Sequence, residues 1–274
     1  MNQRVSPATF AASREDVARR PGLDGPGRRA TLTRLTDEWL AEAFSDAAST
    51  VTDPFCLVAV GGYGRGQLSL GSDLDLLLLH RADAGQAARV ADSLWYPIWD
   101  SGVRLDHSVR TPGEARRLAA DDLKVVLGML DIRVIAGESA LAEQLQTAVL
   151  ADWRAMADRR LPELREMVVG RRSRFGEASQ VLEPDLKESY GGLRDATILR
   201  GIAASWMTDV PHQGWQGSVD FLLDVRDSLH RVSGRSGDRL VMQEQDAVAV
   251  DLIGVADADA LLRAVYDSAR TIAY

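Results

Sequence analysis

The stretch from Val58 to His80, "VAVGGYGRGQLSLGSDLDLLLLH", constrains this chain more than any other. The apolar runs "FCLVAV" (55–60) and "LDLLLLH" (74–80) are short and rich in Val and Leu, the pattern of strands buried on both faces. Glycines fill the interval between them, so the chain must turn there. The second strand then carries Asp73 and Asp75 at its start. Residues two apart on a strand project from one face, so both carboxylates reach a single site. Unpaired carboxylates at the end of an apolar strand repel each other and lose hydration, which costs roughly several kcal/mol unless a cation lies between them. Mg²⁺ suits such a place, because it is a hard cation that takes a few carboxylates and completes its shell with water and substrate phosphates.

The spacing alone carries little weight. With 40 acidic residues in 274, chance supplies roughly six acidic-x-acidic triplets. Asp257 and Asp259 are one such triplet, and they sit where a helix is predicted to start, which is the ordinary place for acids. Asp73 and Asp75 differ in what surrounds them. Gly61, Gly62 and Gly64 let backbone N–H groups approach a phosphate, while Arg65 offers a positive fork and Ser72 a hydroxyl. The expected ligand is a nucleoside triphosphate. Two other phosphate loops do not fit. A dinucleotide fingerprint from Gly62 would need glycine where Gln67 stands, and a P-loop would need Lys and Ser or Thr where Gln67 and Leu68 stand. A plain hairpin turn capped by acids would leave Arg65, Ser72 and both aspartates without a common explanation.

Composition limits the partners. The chain is 46% apolar and 26% charged, as in an ordinary globular protein, and its formal net charge is -8. That balance disfavours broad contact with nucleic acid, which is gripped by clustered cations, and favours a protein or nucleotide partner. The single cysteine, Cys56, excludes an internal disulfide and a cysteine-based zinc site. No apolar run approaches a membrane span, and the start of the chain lacks the apolar core of a signal peptide. The expectation is a cytoplasmic protein without membrane contact.

Residues 1–30 end in "RRPGLDGPGRRA" and read as a flexible N-terminal arm. Leu32, Leu35, Trp39, Leu40 and Phe44 recur at helical spacing and predict a helix that covers the sheet. Another helix is predicted through Gln86–Trp99, followed by a third strand in "VRLDHSVRT". Beyond about residue 112 the pattern is helical to the end. The predicted class is α+β, with a small mixed-sheet domain at 31–112 followed by an all-helical domain at 113–274.

"GGYGRGQLSLGSDLDLLLL" resembles the active-site signature of the polymerase-beta-type nucleotidyltransferases, and most closely that of the bacterial protein-PII uridylyltransferases. Three further stretches support the resemblance in the same order: "DHSVRT" (106–111), "PDLKESYGGLRD" (184–195) and "HRVSGRSGDRL" (230–240). The resemblance implies transfer of a nucleoside monophosphate, UMP or AMP, from a nucleoside triphosphate to a tyrosine of the nitrogen-signalling protein PII. Pyrophosphate is released, and two Mg²⁺ ions are held at the carboxylates. It also implies later domains for removal of the nucleotide and for glutamine sensing. The sequence stops at Tyr274, and none of His80, His107, His212 and His230 is followed by the Asp of the removal motif. The chain is therefore expected to be the transferase portion.

The superfamily adds a third carboxylate from a neighbouring strand. Asp106 in "LDH" has that form and is preferred as a metal ligand or proton acceptor. Many members of the family carry Gly there, so Asp106 departs from them toward the wider superfamily. Asp131 in "MLDIRVIAG" is the rival, and its ordinary role would be pairing with Arg133 or a neighbouring helix. In "PDLKESYGGLRD" the resemblance gives Lys187 or Arg194 to the triphosphate. Surface ion pairs about Asp185, Glu188 and Asp195 are the plainer reading. His230, Arg235, Asp238 and Arg239 read as helix-end and packing groups. Rival functions are a nucleotidyltransferase acting on a small-molecule or RNA acceptor, and a catalytically silent regulatory binding module.

Overall fold

The leucine-rich run after Asp73 forms one of the two central strands of a four-stranded sheet, in a computed structural model that describes residues 5–210 and 214–274. His212 and the first four residues of the predicted arm lie outside the described residues. The chain forms two compact units: Met1–Leu68 with Ser72–Asp152, and Ser69–Gly71 with Trp153–Tyr274.

The first unit opens with helices α1 (Pro7–Arg19) and α2 (Gly25–Ala47). Strand β1 (Phe55–Ala59), the one-turn helix α3 (Gly61–Gly64), β2 (Leu74–His80), α4 (Ala84–Asp100) and β3 (Leu105–Arg110) follow. Then come α5 (Pro112–Asp121), α6 (Leu123–Met129), β4 (Arg133–Gly137) and α7 (Ser139–Ala155). The strands lie in the order β3-β2-β1-β4. β1 is antiparallel to both β2 and β4, whereas β2 and β3 run parallel. A parallel pair needs a long crossover, and α4 supplies it. Every residue of β1 is buried, as its unbroken apolar run requires.

Residues 1–30 were expected to be a flexible arm, but among the described residues this part is helical and packed. Ser6 caps α1 by accepting the Thr9 N–H, and Asp24 caps α2 by accepting the Gly27 N–H. Phe10 is fully buried and stacks on Trp39, with ring centroids 3.9 Å apart. The Pro-Gly spacing that reads as a linker is the helix-start signal of α2, with Asp24 as cap and Pro26 in the first turn. The stretch "MLDIRVIAG", expected to be helical, contains β4. The first unit runs to Asp152 rather than ending near residue 112.

In the second unit, α8 (Ala157–Phe175) is followed by α9 (Leu193–Ser205), α10 (Trp215–Ser233), α11 (Met242–Asp251) and α12 (Ala258–Ala273), and the last four hold an apolar core. Leu222, Val225 and Leu229 of α10 meet Leu261 and Val265 of α12 there, with Leu186 and Leu240 from the connections. As expected, Asp257 starts a helix: its carboxylate accepts the Ala260 N–H 2.7 Å away. The protein is α+β, a small mixed sheet with helices followed by a helical region. Among the described residues, no helix is long and apolar enough to cross a membrane.

Candidate active site

The turn between β1 and β2 begins where the Val60 N–H donates to the Asp75 carbonyl, 3.1 Å away. Gly61 has φ +57°, in the left-handed region that glycine enters without strain. A Cβ on Gly61 would stand 3.6 Å from Asp75 Oδ2, so this carboxylate lies against the start of α3. Gly64 serves a different purpose. A Cβ there would overlap the Asp131 carbonyl oxygen, so glycine is what lets α3 pack against the segment entering β4. Next to Gly62, the nearest group to such a Cβ is the Arg65 guanidinium at 3.9 Å. The Gly64 N–H closes the one-turn helix by donating to Val60 O.

Arg65 was read as a fork for phosphate, yet its guanidinium pairs with the Asp131 carboxylate, and its Nε donates to Gln67 Oε1 at 2.9 Å. Both partners are largely covered, with side-chain exposures of 16% and 22%. Asp131 therefore does not pair with Arg133. Arg133 instead grips Asp37 through two nitrogens, at 2.6 and 3.1 Å, and also donates to the carbonyls of Tyr63 and Gly64. The Tyr63 hydroxyl donates to the same Asp37 carboxylate at 2.7 Å. Burial, with the adjacent Asp37 charge, pushes the Tyr63 hydroxyl well above its ordinary pKa, so it remains a donor. Arg133, Asp37 and Tyr63 thus fix the glycine turn. Sequence reasoning missed this cluster, because an Arg on a short strand and an Asp on a helix give no sign that they meet.

The carboxylates are arranged by the sheet. Asp75 and Asp106 are register partners in the parallel β2–β3 pairing, so they project from the same face of neighbouring strands. Asp73 stands one residue before β2, and its carboxylate pairs with Arg104, one residue before β3. The adjacent backbone locks this edge: the Leu74 N–H donates to Arg104 O at 2.9 Å. The Asp73–Arg104 pair is half exposed, at 47% and 54%. Among the described residues, no group of three or more His, Cys, Asp or Glu is gathered closely enough to hold a metal ion. The donors are all oxygens, the kind Mg²⁺ takes, and two of the three are adjacent by register. Ser72 is half-buried immediately before Asp73.

In the second unit, Lys187 sits on the irregular segment leading into α9, and Arg194 is the second residue of that helix. The Asp185 carboxylate accepts the N–H groups of Lys187 and Glu188 at 3.0 and 2.7 Å, forming a tight turn. Arg194 pairs with Glu188 at 2.7 Å. Asp195 pairs with Arg171 and accepts the Gly191 N–H at 2.7 Å. Burial raises the Asp195 carboxyl above the usual range, against the pull of Arg171. A Cβ on Gly191 would overlap the Ala269 carbonyl, so this glycine break is a packing feature. His230, in the last turn of α10, lies with its Nε2 3.0 Å from Asp238 Oδ1 in the connection that follows.

A four-stranded mixed sheet with an Asp-x-Asp where a glycine turn enters its second strand, followed by a helical region, defines a nucleotidyltransferase-type α+β protein. The comparisons with known proteins narrow that class. A family model described as GlnD PII-uridylyltransferase matches residues 155–208. A bifunctional uridylyltransferase/uridylyl-removing enzyme of Streptomyces coelicolor is 56% identical over 98% of this chain and 32% of its own length. The protein of that name from Mycobacterium tuberculosis is 42% identical over 96% of this chain and 34% of its own length. One from Corynebacterium glutamicum is 36% identical over 79% of this chain and 30% of its own length. The chain is similar over nearly its whole length to the first two of these uridylyltransferase/uridylyl-removing enzymes, and it spans about a third of their length.

Proposed function

We propose that this chain transfers UMP from UTP to a tyrosine of PII, with release of pyrophosphate. The observation that carries the reading is the pairing of Asp75 with Asp106 at one end of the sheet, in a chain 56% identical to a uridylyltransferase. Asp73, Asp75 and Asp106 would hold two Mg²⁺ ions. When bound, the ions supply charge neutralisation for the triphosphate and orient its α-phosphate.

The chain's own residues have separable tasks in this reading. Asp75 and Asp106 set the position of the site, because both are held by strand backbone rather than by a loop. The Asp106 carboxylate accepts the proton of the attacking tyrosine hydroxyl or serves as a ligand. Asp73 leaves Arg104 to join them, and loss of so exposed a pair costs at most about 1 kcal/mol. Arg65 acts indirectly, since it anchors the turn on Asp131. Gly61 gives the triphosphate close access beside Asp75, and its φ of +57° strains any residue that carries a Cβ. Asp106 is favoured over Asp131 as the third carboxylate, because Asp131 is already engaged by Arg65.

The test is to incubate the chain with PII, Mg²⁺ and UTP or ATP in parallel, and to weigh the product by intact mass. A UMP adduct that is lost on chelation with EDTA supports the reading. An AMP adduct alone would change the donor. Adducts on RNA or a small molecule but not on PII would change the acceptor. Nucleotide binding without any transfer would make the chain a silent binding module.

A further inference from the structure

The residues between α3 and β2 include a short segment, Ser69–Gly71, that belongs to the second unit. Its contacts there form a built chain of polar groups. Ser69 Oγ lies 2.8 Å from His230 Nδ1, and His230 Nε2 lies 3.0 Å from Asp238 Oδ1. The Arg226 guanidinium meets the same Asp238 oxygen at 2.6 Å. Ser69 and His230 are buried, with exposures of 3% and 1%. Gly71 rests directly on the ring: a Cβ there would stand 2.8 Å from His230 Nδ1 and 3.0 Å from Ser236 Cα.

The bonding directions follow from chemistry. Burial works to raise the Asp238 carboxyl, but hydrogen bonds from His230 and Arg226 and the Arg226 charge outweigh it and hold the group well below the usual carboxylate range. An ionised carboxylate only accepts, so His230 Nε2 carries a proton toward it. In the tautomer protonated on Nε2 alone, Nδ1 is an acceptor and the Ser69 hydroxyl donates to it. Asp238 is itself pinned, because its carbonyl accepts the Leu186 N–H at 2.8 Å. The ring therefore has a fixed support on one side and the Ser69–Gly71 segment on the other.

We propose that His230 is a positioning residue for nucleotidyl transfer, holding through Ser69 the segment that leads into Asp73. The inference rests on the functional reading given above, in which Asp73 acts at the reaction. Asp73 follows Gly71 by two residues, and a trans-linked chain advances about 3.8 Å between consecutive Cα atoms, so a loosened Ser69 is felt at the carboxylate. His230 touches no reacting atom in this scheme. Its effect reaches the chemistry through the backbone from residue 69 to 73.

The experiment compares Ser69→Ala, His230→Asn and His230→Gln in the full chain. Asparagine places an amide where Nδ1 stands and keeps an acceptor for Ser69, whereas glutamine places its amide near Nε2 and loses it. Two readouts are taken: kcat and KM for transfer from UTP to PII, and amide hydrogen exchange of residues 69–75 without nucleotide. We expect Ser69→Ala and His230→Gln to lower kcat by about 10- to 100-fold, with KM for PII within about twofold. Exchange at 69–75 should speed up in both, while His230→Asn restores kcat and protection to within a few-fold of the parent. Unchanged exchange and kcat in Ser69→Ala, or His230→Asn as impaired as His230→Gln, overturns the anchor. Failure of the unaltered chain to modify PII with either nucleotide overturns instead the functional reading beneath it.

Discussion

Asp75 and Asp106 are register partners across the parallel β2–β3 pairing, and that adjacency is built by backbone hydrogen bonds on both strands. A carboxylate so placed can act on a bound triphosphate without help from a mobile loop. Asp106→Asn should lower kcat by about 100-fold or more while weakening nucleotide binding by less than about fivefold, because a ligand or proton acceptor works mainly in the transition state. Steady-state kinetics beside equilibrium nucleotide binding separate the two effects.

Asp131→Asn should show the opposite balance. It removes the charged partner of Arg65 in a largely covered pair. The expected cost is about 1.5–3 kcal/mol of stability, with a smaller effect on kcat than Asp106→Asn. Urea unfolding beside the same kinetics checks this. If Asp131→Asn abolishes transfer in a fully stable protein, the third carboxylate is Asp131.

In the proposed reading, the Asp73–Arg104 pair sets how a metal would be gained. A cation recruiting Asp73 must compete with Arg104, but both side chains are about half exposed, so the competition is weak. Arg104→Gln should tighten Mn²⁺ binding to the nucleotide-free chain by no more than about fivefold, the equivalent of ~1 kcal/mol. Asp73→Asn should abolish that binding and leave the melting temperature nearly unchanged. Mn²⁺ titration followed by electron paramagnetic resonance reads both. Equal affinity in the parent and Asp73→Asn would remove Asp73 from the ligand set.

Much of this arrangement could be read from residues alone, for definite reasons. The β1 and β2 runs are buried on both faces, so hydrophobicity announces them, and the glycine turn can only lie between them. β4 was hidden because "MLDIRVIAG" is short and partly covered, and its period does not separate a strand from the end of α6. The α1 helix was hidden by Arg and Pro, although Phe10 on Trp39 is what buries it. At the site, side-chain alternation pointed to Asp73 and Asp75, of which Asp75 lies on β2 and Asp73 one residue before it, while Asp106 on β3 came from the resemblance. The partners of Arg65 and Arg133 did not, since Asp131 and Asp37 are brought to them by tertiary packing across 66 and 96 residues.

Gly64→Ala tests the packing of the turn without touching a charge. The added methyl would overlap the Asp131 carbonyl, and backbone cannot move aside as a side-chain tip can. The expected loss is about 1–3 kcal/mol or more, larger than for Gly62→Ala, whose nearest neighbour is the movable end of Arg65. Denaturant midpoints of the two variants give the comparison, and equal midpoints would show that α3 has room to shift.

Asp238 predicts how stability depends on pH. Its folded-state pKa lies below the ordinary value, so the charged form is favoured by folding. Stability from this group is therefore complete above its unfolded pKa of about 3.9 and is lost as pH falls below that toward the folded value. Asp238→Asn keeps the size of the side chain but leaves Arg226 and His230 without their charged acceptor. Breaking one side of a buried ionic cluster costs about 3–5 kcal/mol. At pH 7 the variant should be less stable than the parent by about that amount, and the difference should shrink by pH 3.5, where the parent begins to lose the same contribution. Urea unfolding at the two pH values measures the gap. A gap that grows in acid would mean that burial, not the two cations, sets the protonation of Asp238.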